Sequence, residues 1–575
     1  MRRILFYMKP LLGLSLATVA VKFVSTIVLL LIPFVLGHVV DHVVPSGNFW
    51  AVLAWGVVMV LLAVLERWMN LKSSRMSTVV ARESTRALRN DLFGKIIDLS
   101  GEQADSFGLP SLTARLTADG YNVQNLYQNL LTFAVRAPTL VLGSLLLSLI
   151  MDPGLAIVLC VLAPVMIAAV AVVSFKGIPL FGDVQKKSDA ATAVLRENLI
   201  GVRPIRALCK EQYEQARFDA ANEALKRTEQ KAGDVMSLPG PLSTLFLNVG
   251  LVAVVLLGAQ RVNGGMTQPG TILAFLTYFN MILMGVMGLN RVFLILSKAN
   301  ASANRIVAVL DQPDKLPRLD AAETTAAPVD GHVVFDRVSF RYSGGGEGLC
   351  LSDLSFAVKK GGSLGILGPT GSGKTTIVNL LLRFYDPVEG AVYVDGRDVR
   401  TFEMDDLRRR FGAAFQNDTV FADTVAENIS FGRDLGEEAV RRAADHAMAK
   451  EFIEGYEDGY DHRVAAHGAD LSGGQKQRIL IARALAGNPE ILVLDDSSSA
   501  LDYGTDAALR ANLARYYAGI TTITVAQRIS SVQNCDEILL LDEGRVLARG
   551  THEELLRTCP RYLDVYQAQM GKEVG

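Results

Sequence analysis

Six stretches of this chain are each long and apolar enough to cross a lipid bilayer, and no other feature restricts its fold so severely. They lie at residues 11–40, 49–65, 130–151, 155–175, 239–259 and 271–296. A bilayer core takes roughly 20 helical residues at about 1.5 Å rise each. Within it the backbone must satisfy its own polar groups, which leaves helices or a closed barrel. These runs are continuously apolar and lack the alternation of a barrel strand, so helices are expected. With 50% hydrophobic residues over 575 positions, the chain is too long for one domain and too apolar for an ordinary soluble protein.

The second run has a short apolar core but continues through Glu66 to Leu99 with no helix breaker, mixing polar and apolar residues at helical spacing. It is expected to leave the membrane as one uninterrupted helix. The first run follows Met1-Arg2-Arg3 and extends too far for the apolar region of a signal peptide, so it is read as a retained span. The runs pair through short links at 41–48, 152–154 and 260–270, whose single basic residue is Arg261. The long connections carry many Lys and Arg, which places them and both termini on the cytoplasmic side.

Composition breaks at 311–331, where Pro, Asp, Ala and Thr replace the apolar runs; this is read as a linker between a membrane domain (1–310) and a second domain (332–575). In the second domain the β-type runs 332–335, 364–367, 491–494, 521–525 and 537–541 alternate with helical patterns, as in an α/β domain on a parallel sheet. A net charge of −2 without a basic tract gives no sign of a nucleic-acid partner. The five cysteines have no ligand spacing and fit a reducing cytosol better than a disulfide framework or metal site.

Gly368-Pro-Thr-Gly-Ser-Gly-Lys-Thr375 satisfies the P-loop pattern and stands between an apolar run and an amphipathic stretch from Thr376. Gly368, Thr370, Gly371, Ser372 and Gly373 let backbone N–H groups curl around phosphate oxygens. Lys374 reaches the outer phosphates, Thr375 ligates Mg²⁺, and the following helix adds a favourable dipole. Downstream come Gln416, then Leu471-Ser472-Gly473-Gly474-Gln475, then the run 491–494 ending in Asp495, then Ser499-Ala-Leu-Asp502. This order resembles the ATP-binding cassette (ABC) family over the whole region from about His332 to the C-terminus. The resemblance implies that Tyr342 stacks on adenine, that Asp495 organises Mg²⁺, and that Gln416 links the metal site to the membrane domain. Ser499 and Asp502 then belong to the loop at the dimer junction. The pentapeptide 471–475 precedes a helix at 476–485, a second N-terminal phosphate cradle. In the family it closes on ATP held by the P-loop of the other subunit, so one cassette cannot complete a site.

Two departures stand out. The family's hydrolytic glutamate follows the strand aspartate, and here that position is Asp496, one methylene shorter; a base out of reach of its water loses much of its effect. The family's switch histidine is replaced by Gln527, a neutral amide that stabilises developing charge less well. Ala466 and His467 also stand where exporters usually carry Glu-Arg. Together with an intact P-loop and signature, this resembles the degenerate-site subunit of heterodimeric bacterial multidrug exporters. The resemblance implies a slow ATP site on this chain's P-loop side, and a different partner with a competent Glu and His and an altered signature.

The membrane half resembles the exporter type, with coupling segments at 110–119 and 195–203. The fold class expected is therefore a six-helix all-α exporter domain fused to an α/β P-loop cassette, multi-pass in a bacterial inner membrane with both termini and the cassette cytoplasmic. The function expected is ATPase-driven export of hydrophobic or amphipathic compounds such as drugs, lipids or peptides; a slow homodimer or a membrane ATPase that regulates without transporting are the alternatives. Lys22 and Arg291 sit near the inner interface, where snorkelling accounts for them. Arg136 either faces a substrate cavity or pairs with an acid, and Asn248 and Asn280 either line that cavity or bond between helices.

Overall fold

The computed structural model describes the chain apart from residues 314–315, 317, 321–326, 343–347, 417, 498 and 571–575, so the expected linker at 311–331 lies partly outside the described residues. The chain divides into two compact units, Met1–Ile97 with Pro110–Asp311, and Asp98–Leu109 with Gln312–Gly575.

The first unit holds the six apolar segments, within Lys9–Ser46, Phe49–Ile97, Leu109–Met151, Pro153–Ile200, Glu211–Asn263 and Pro269–Leu310. The second is one helix of 49 residues, so the polar continuation read from its spacing is helical throughout. Its apolar window buries nothing against the rest of the chain. Trp50, Leu53, Val57, Val60 and Leu61 are exposed along it, a surface suited to lipid. The interior of the unit is built on Leu30, Leu140, Leu159, Phe275, Tyr278 and Ile282, with the Tyr278 hydroxyl donating to the Leu30 carbonyl at 3.0 Å.

Carboxylates stitch the short-link end. Asp152 accepts from the Gly154 and Leu155 N–H groups at 2.8 and 3.2 Å, capping the fourth long helix, and also binds Arg261 Nε at 3.1 Å. The lone basic residue of the short links is thus committed to a buried acid. Asp41 does the same for the sixth helix, accepting from the Gly270 N–H at 2.5 Å and the Thr271 hydroxyl at 3.3 Å.

One expectation for the membrane charges fails. Lys22 does not snorkel: it is buried and donates to Asn70 Oδ1 at 2.5 Å, because the second helix places a polar acceptor beside it. Arg291 stays exposed, its guanidinium 4.8 Å from the Phe133 ring centre.

Among the described residues of the second unit ten strands form two sheets: Val333–Phe340 (β1), Leu351–Val358 (β2), Ser363–Leu367 (β3), Glu389–Val394 (β4), Arg397–Asp398 (β5), Phe411–Ala414 (β6), Ile491–Asp495 (β7), Thr521–Ala526 (β8), Glu537–Asp542 (β9) and Arg545–Gly550 (β10). The six-stranded sheet runs β10-β9-β3-β8-β7-β6 and is parallel except for β10; the other, β2-β1-β4-β5, is antiparallel. The five expected runs fall in β1, β3, β7, β8 and β9. Those in the parallel sheet are buried on both faces and therefore read as continuous apolar runs. Of the antiparallel sheet β1 is among the expected runs; β2 is not, because it mixes buried and exposed residues and carries Ser352, Asp353 and Ser355.

At the N-terminal end of the parallel strands, His332 is buried with Nδ1 2.7 Å from Thr521 Oγ1 and Nε2 3.4 Å from Asp395 Oδ1. Arg410 already spans Asp395 and Glu490 at 2.7 and 3.2 Å. Burial holds the His332 imidazole below its ordinary pKa, more than the neighbouring carboxylates raise it. The cluster closes as an ion network.

The segment Asp98–Leu109 packs with the cassette. Ser100 and Gln103 form a capping box on the helix Gly101–Phe107, whose Gly101 N–H donates to Phe384 O at 3.3 Å, while the Tyr385 hydroxyl donates to Asp105 Oδ2 at 2.6 Å. In the first unit the stretch 110–119, expected as a coupling segment, exposes Pro110, Thr113, Ala114, Thr117 and Ala118 and buries Leu112, Arg115 and Asp119, the last held by Arg305 Nε at 2.8 Å. The stretch 195–203 ends in exposed apolar residues, Leu199 at 69% and Ile200 at 79% exposure.

Candidate nucleotide site

The P-loop connects β3 to the helix Lys374–Leu381. Its turn needs two glycines in the left-handed region, Gly371 at φ +85° and Gly373 at φ +93°. A Cβ on Gly373 would come within 2.6 Å of the Leu351 side chain, whereas one on Gly371 would meet nothing within 4 Å. The loop is thus packed behind and open in front. Lys374 Nζ donates to the carbonyls of Gly368 and Pro369 at 2.8 and 2.7 Å. Burial lowers its pKa, and Asp496 and Asp495 oppose that shift.

Asp495 ends β7 and is almost fully buried, with a hydrogen bond from Thr375. Burial pushes its pKa up. Its Oδ2 and the Ser372 hydroxyl are both buried without a hydrogen-bond partner among the described residues. Buried polar atoms are nearly always paired. A bare carboxylate oxygen beside the Thr375 hydroxyl is a hard-oxygen donor set that fits Mg²⁺, and Ser372 Oγ in the loop fits a phosphate.

Asp496 has a left-handed backbone, φ +47°, and its N–H donates to Val525 O at 2.9 Å, which ties it to β8. Two amides converge on one of its oxygens: Gln416 Nε2 at 2.9 Å and Gln527 Nε2 at 3.1 Å, both to Oδ2. Burial raises its pKa, while Lys374, Arg528 and the Gln527 amide oppose that. The site thus brings Gln416, Asp496 and Gln527 into one constellation beside Lys374 and Asp495. A cavity of about 440 Å³ opens beside it, lined by Asp496, Ser499, Gln527, Arg528, Ser530 and Gln569. Ser499 Oγ donates to the Asp496 carbonyl at 2.9 Å, and Asp502 caps the helix Tyr503–Tyr516 through the Thr505 N–H at 2.9 Å. Gln569 gives no signal in the sequence, being one of two glutamines, with Gln567, in an unremarkable polar stretch.

Tyr342 lies in an aromatic cluster, edge-on to Phe340 and Tyr385 at 4.9 and 5.1 Å, with its hydroxyl donating to Thr376 Oγ1 at 3.2 Å. The signature residues Leu471, Ser472, Gly473, Gly474 and Gln475 start the helix Gly473–Ala486. Ser472 and Gln475 form a capping box, 3.2 Å from the Gln475 N–H to Ser472 Oγ and 2.9 Å from the Ser472 N–H to Gln475 Oε1. Ser472 and Gly473 are exposed, and among the described residues none of the five hydrogen-bonds the P-loop.

The substrate candidates belong to the first unit. Arg136 is half-buried near Lys22 and, among the described residues of this chain, has no ion-paired acid. Asn280 donates to its own helix at Leu276 O, 3.1 Å away, and Asn248 is exposed, so among the described residues neither bonds between helices.

The family "ABC transporter transmembrane region" matches residues 15–287, and the family "ABC transporter" matches 351–499. An uncharacterised ABC transporter ATP-binding protein of Mycobacterium tuberculosis is 34% identical over 567 residues, 98% of this chain and 97% of the relative. The chain belongs to the ABC transporter family. The ABC transporter ATP-binding protein YfiB of Bacillus subtilis, also uncharacterised, is 33% identical over 576 residues, covering 100% and 99% of the two chains. A bacterial Atm1-family ABC exporter solved with ATP bound matches the fold with a TM-score of 0.81 at 26% identity, over 98% of this chain and 99% of that one. This ABC exporter subunit thus carries an ATPase domain coupled to transport and works as a dimer within a lipid bilayer.

Proposed function

We propose that this exporter subunit is the degenerate half of a heterodimer. In this reading its P-loop, with Thr375, Asp495 and Gln416 around Mg²⁺ and Tyr342 against adenine, holds ATP without hydrolysing it at an appreciable rate. Its signature, Leu471 to Gln475, completes the active site on a different half-transporter that has a Glu after its strand aspartate and a switch His. The observation that carries the reading is Asp496. A short carboxylate whose Oδ2 already accepts from Gln416 and Gln527 is poorly placed and poorly free to take a proton from water. The exposed apolar tip at Leu199 and Ile200 supports a second subunit covering it.

The cargo proposed is hydrophobic or amphipathic, carried out through a bacterial inner membrane with the cassette and termini on the cytoplasmic side. Arg136, half-buried and without an ion-paired acid among the described residues, favours cargo with an anionic group. A homodimer is the second reading, favoured by the presence of P-loop and signature in one chain. The expectation of a membrane ATPase that regulates without transporting gives way to the full-length exporter likeness. Asp496→Asn is the test: in the assembled transporter it changes ATP turnover less than about two-fold, because the partner's base does the work. A loss of about a hundred-fold or more would place the working base in this chain.

A further inference from the structure

β8 ends at Ala526 and its parallel neighbour β3 ends at Leu367, so the chain beyond them runs out of ladder partners. Two backbone groups there find a partner in one side chain from the far end of the protein. Gln569 Nε2 donates to the Gln527 carbonyl at 2.8 Å, and the Ile529 N–H donates to Gln569 Oε1 at 2.8 Å. The two bonds fix the amide's orientation, since only this placement of N and O satisfies both. They bracket Arg528 and hold the turn rigidly from both sides.

The helix that carries Gln569, Pro560–Met570, is itself anchored. Tyr562 is fully buried and packs with Leu367, Ala526, Ile529 and Leu540. Its hydroxyl lies 2.7 Å from His552 Nδ1. Gln569 lines the cavity beside Asp496, and also a second one of about 310 Å³ behind Gly368, Pro369 and Thr370. It therefore stands between the back of the P-loop and the switch segment.

We infer that Gln569 is a positioning residue for the switch segment: its amide clamps the backbone on both sides of Arg528 and so sets where the Gln527 side chain stands against Asp496 and bound nucleotide. Its effect on nucleotide runs through Gln527. This rests on the P-loop of this chain holding ATP, and the experiment separates the two claims.

The full-length chain in lipid nanodiscs is loaded with a fluorescent ATP analogue and Mg²⁺, and the dissociation rate is followed. Gln569→Met keeps the volume and helix propensity but loses both bonds, and dissociation is expected to quicken about five-fold. Gln569→Glu keeps the acceptor for the Ile529 N–H and loses the donor to Gln527; it is expected to quicken dissociation as well, and it carries the test if the Met variant does not fold. In a Gln527→Ala background, Gln569→Met is expected to add less than about two-fold. Unchanged dissociation in both Gln569 variants overturns the inference, and so does an equal acceleration with and without Gln527, which would mean that the clamp only anchors the helix. A wild-type chain that retains no analogue overturns the reading of the P-loop itself.

Discussion

Ser472→Arg is expected to lower ATP turnover of the assembled transporter at least about a hundred-fold while leaving the chain folded. The two effects separate on magnitude. Ser472 caps the helix Gly473–Ala486 and shares a capping box with Gln475; losing such a cap costs about 1 kcal/mol, a few degrees of melting temperature for a domain this size. The functional loss is larger because the first N–H groups of that helix and the two glycines after Ser472 are open to solvent or half so, a cradle suited to a phosphate. A long side chain and a guanidinium placed there fill the cradle. Turnover and thermal melting measured on the same preparation check this. Turnover within about two-fold of wild type would show that this chain's signature does not serve the active site.

The second large effect is a gain. Asp496→Glu with Gln527→His, in the chain purified on its own, is expected to raise ATP turnover by roughly a hundred-fold, the usual scale of a placed general base. Each change acts on a defined contact. The extra methylene carries the carboxylate past the point where Gln416 and Gln527 now meet Oδ2, and the imidazole removes one of those two amide donors. Both copies in a self-paired dimer would then present a competent P-loop side opposite an intact signature. Glu alone should do less, because Gln527 would still compete for its oxygen. Steady-state turnover of the single and double variants checks the order; no gain in the double variant would mean that something other than these two side chains limits the site.

How much of this was legible before the structure depended on what each residue signals locally. The parallel strands were readable because burial on both faces forces an unbroken apolar run such as Ile491 to Leu494, whereas β2, with Ser352 and Asp353 on its open face, carries no such mark. The P-loop follows from spacing, since phosphate cradling demands glycines at fixed offsets, and the signature from the resemblance to the ABC family. Asp496 and Gln527 were legible as departures, but not that both Gln416 and Gln527 bond the same carboxylate oxygen, which depends on strand ends distant in sequence. Lys22 misled for the same reason: its partner Asn70 lies 48 residues away on another helix. Gln569 had no signal: as one of several polar residues on its helix, with Arg561, Asp564 and Gln567, it looks like any solvated position.

The central claim is that this chain holds ATP but needs a different partner to hydrolyse it, and the ATP turnover of the chain purified alone, set against the chain co-purified with a neighbouring half-transporter, tests it most directly. The account predicts that the lone chain retains ATP while turning it over at roughly a hundredth of the co-purified rate or less. Turnover by the lone chain comparable to that of the pair would contradict it.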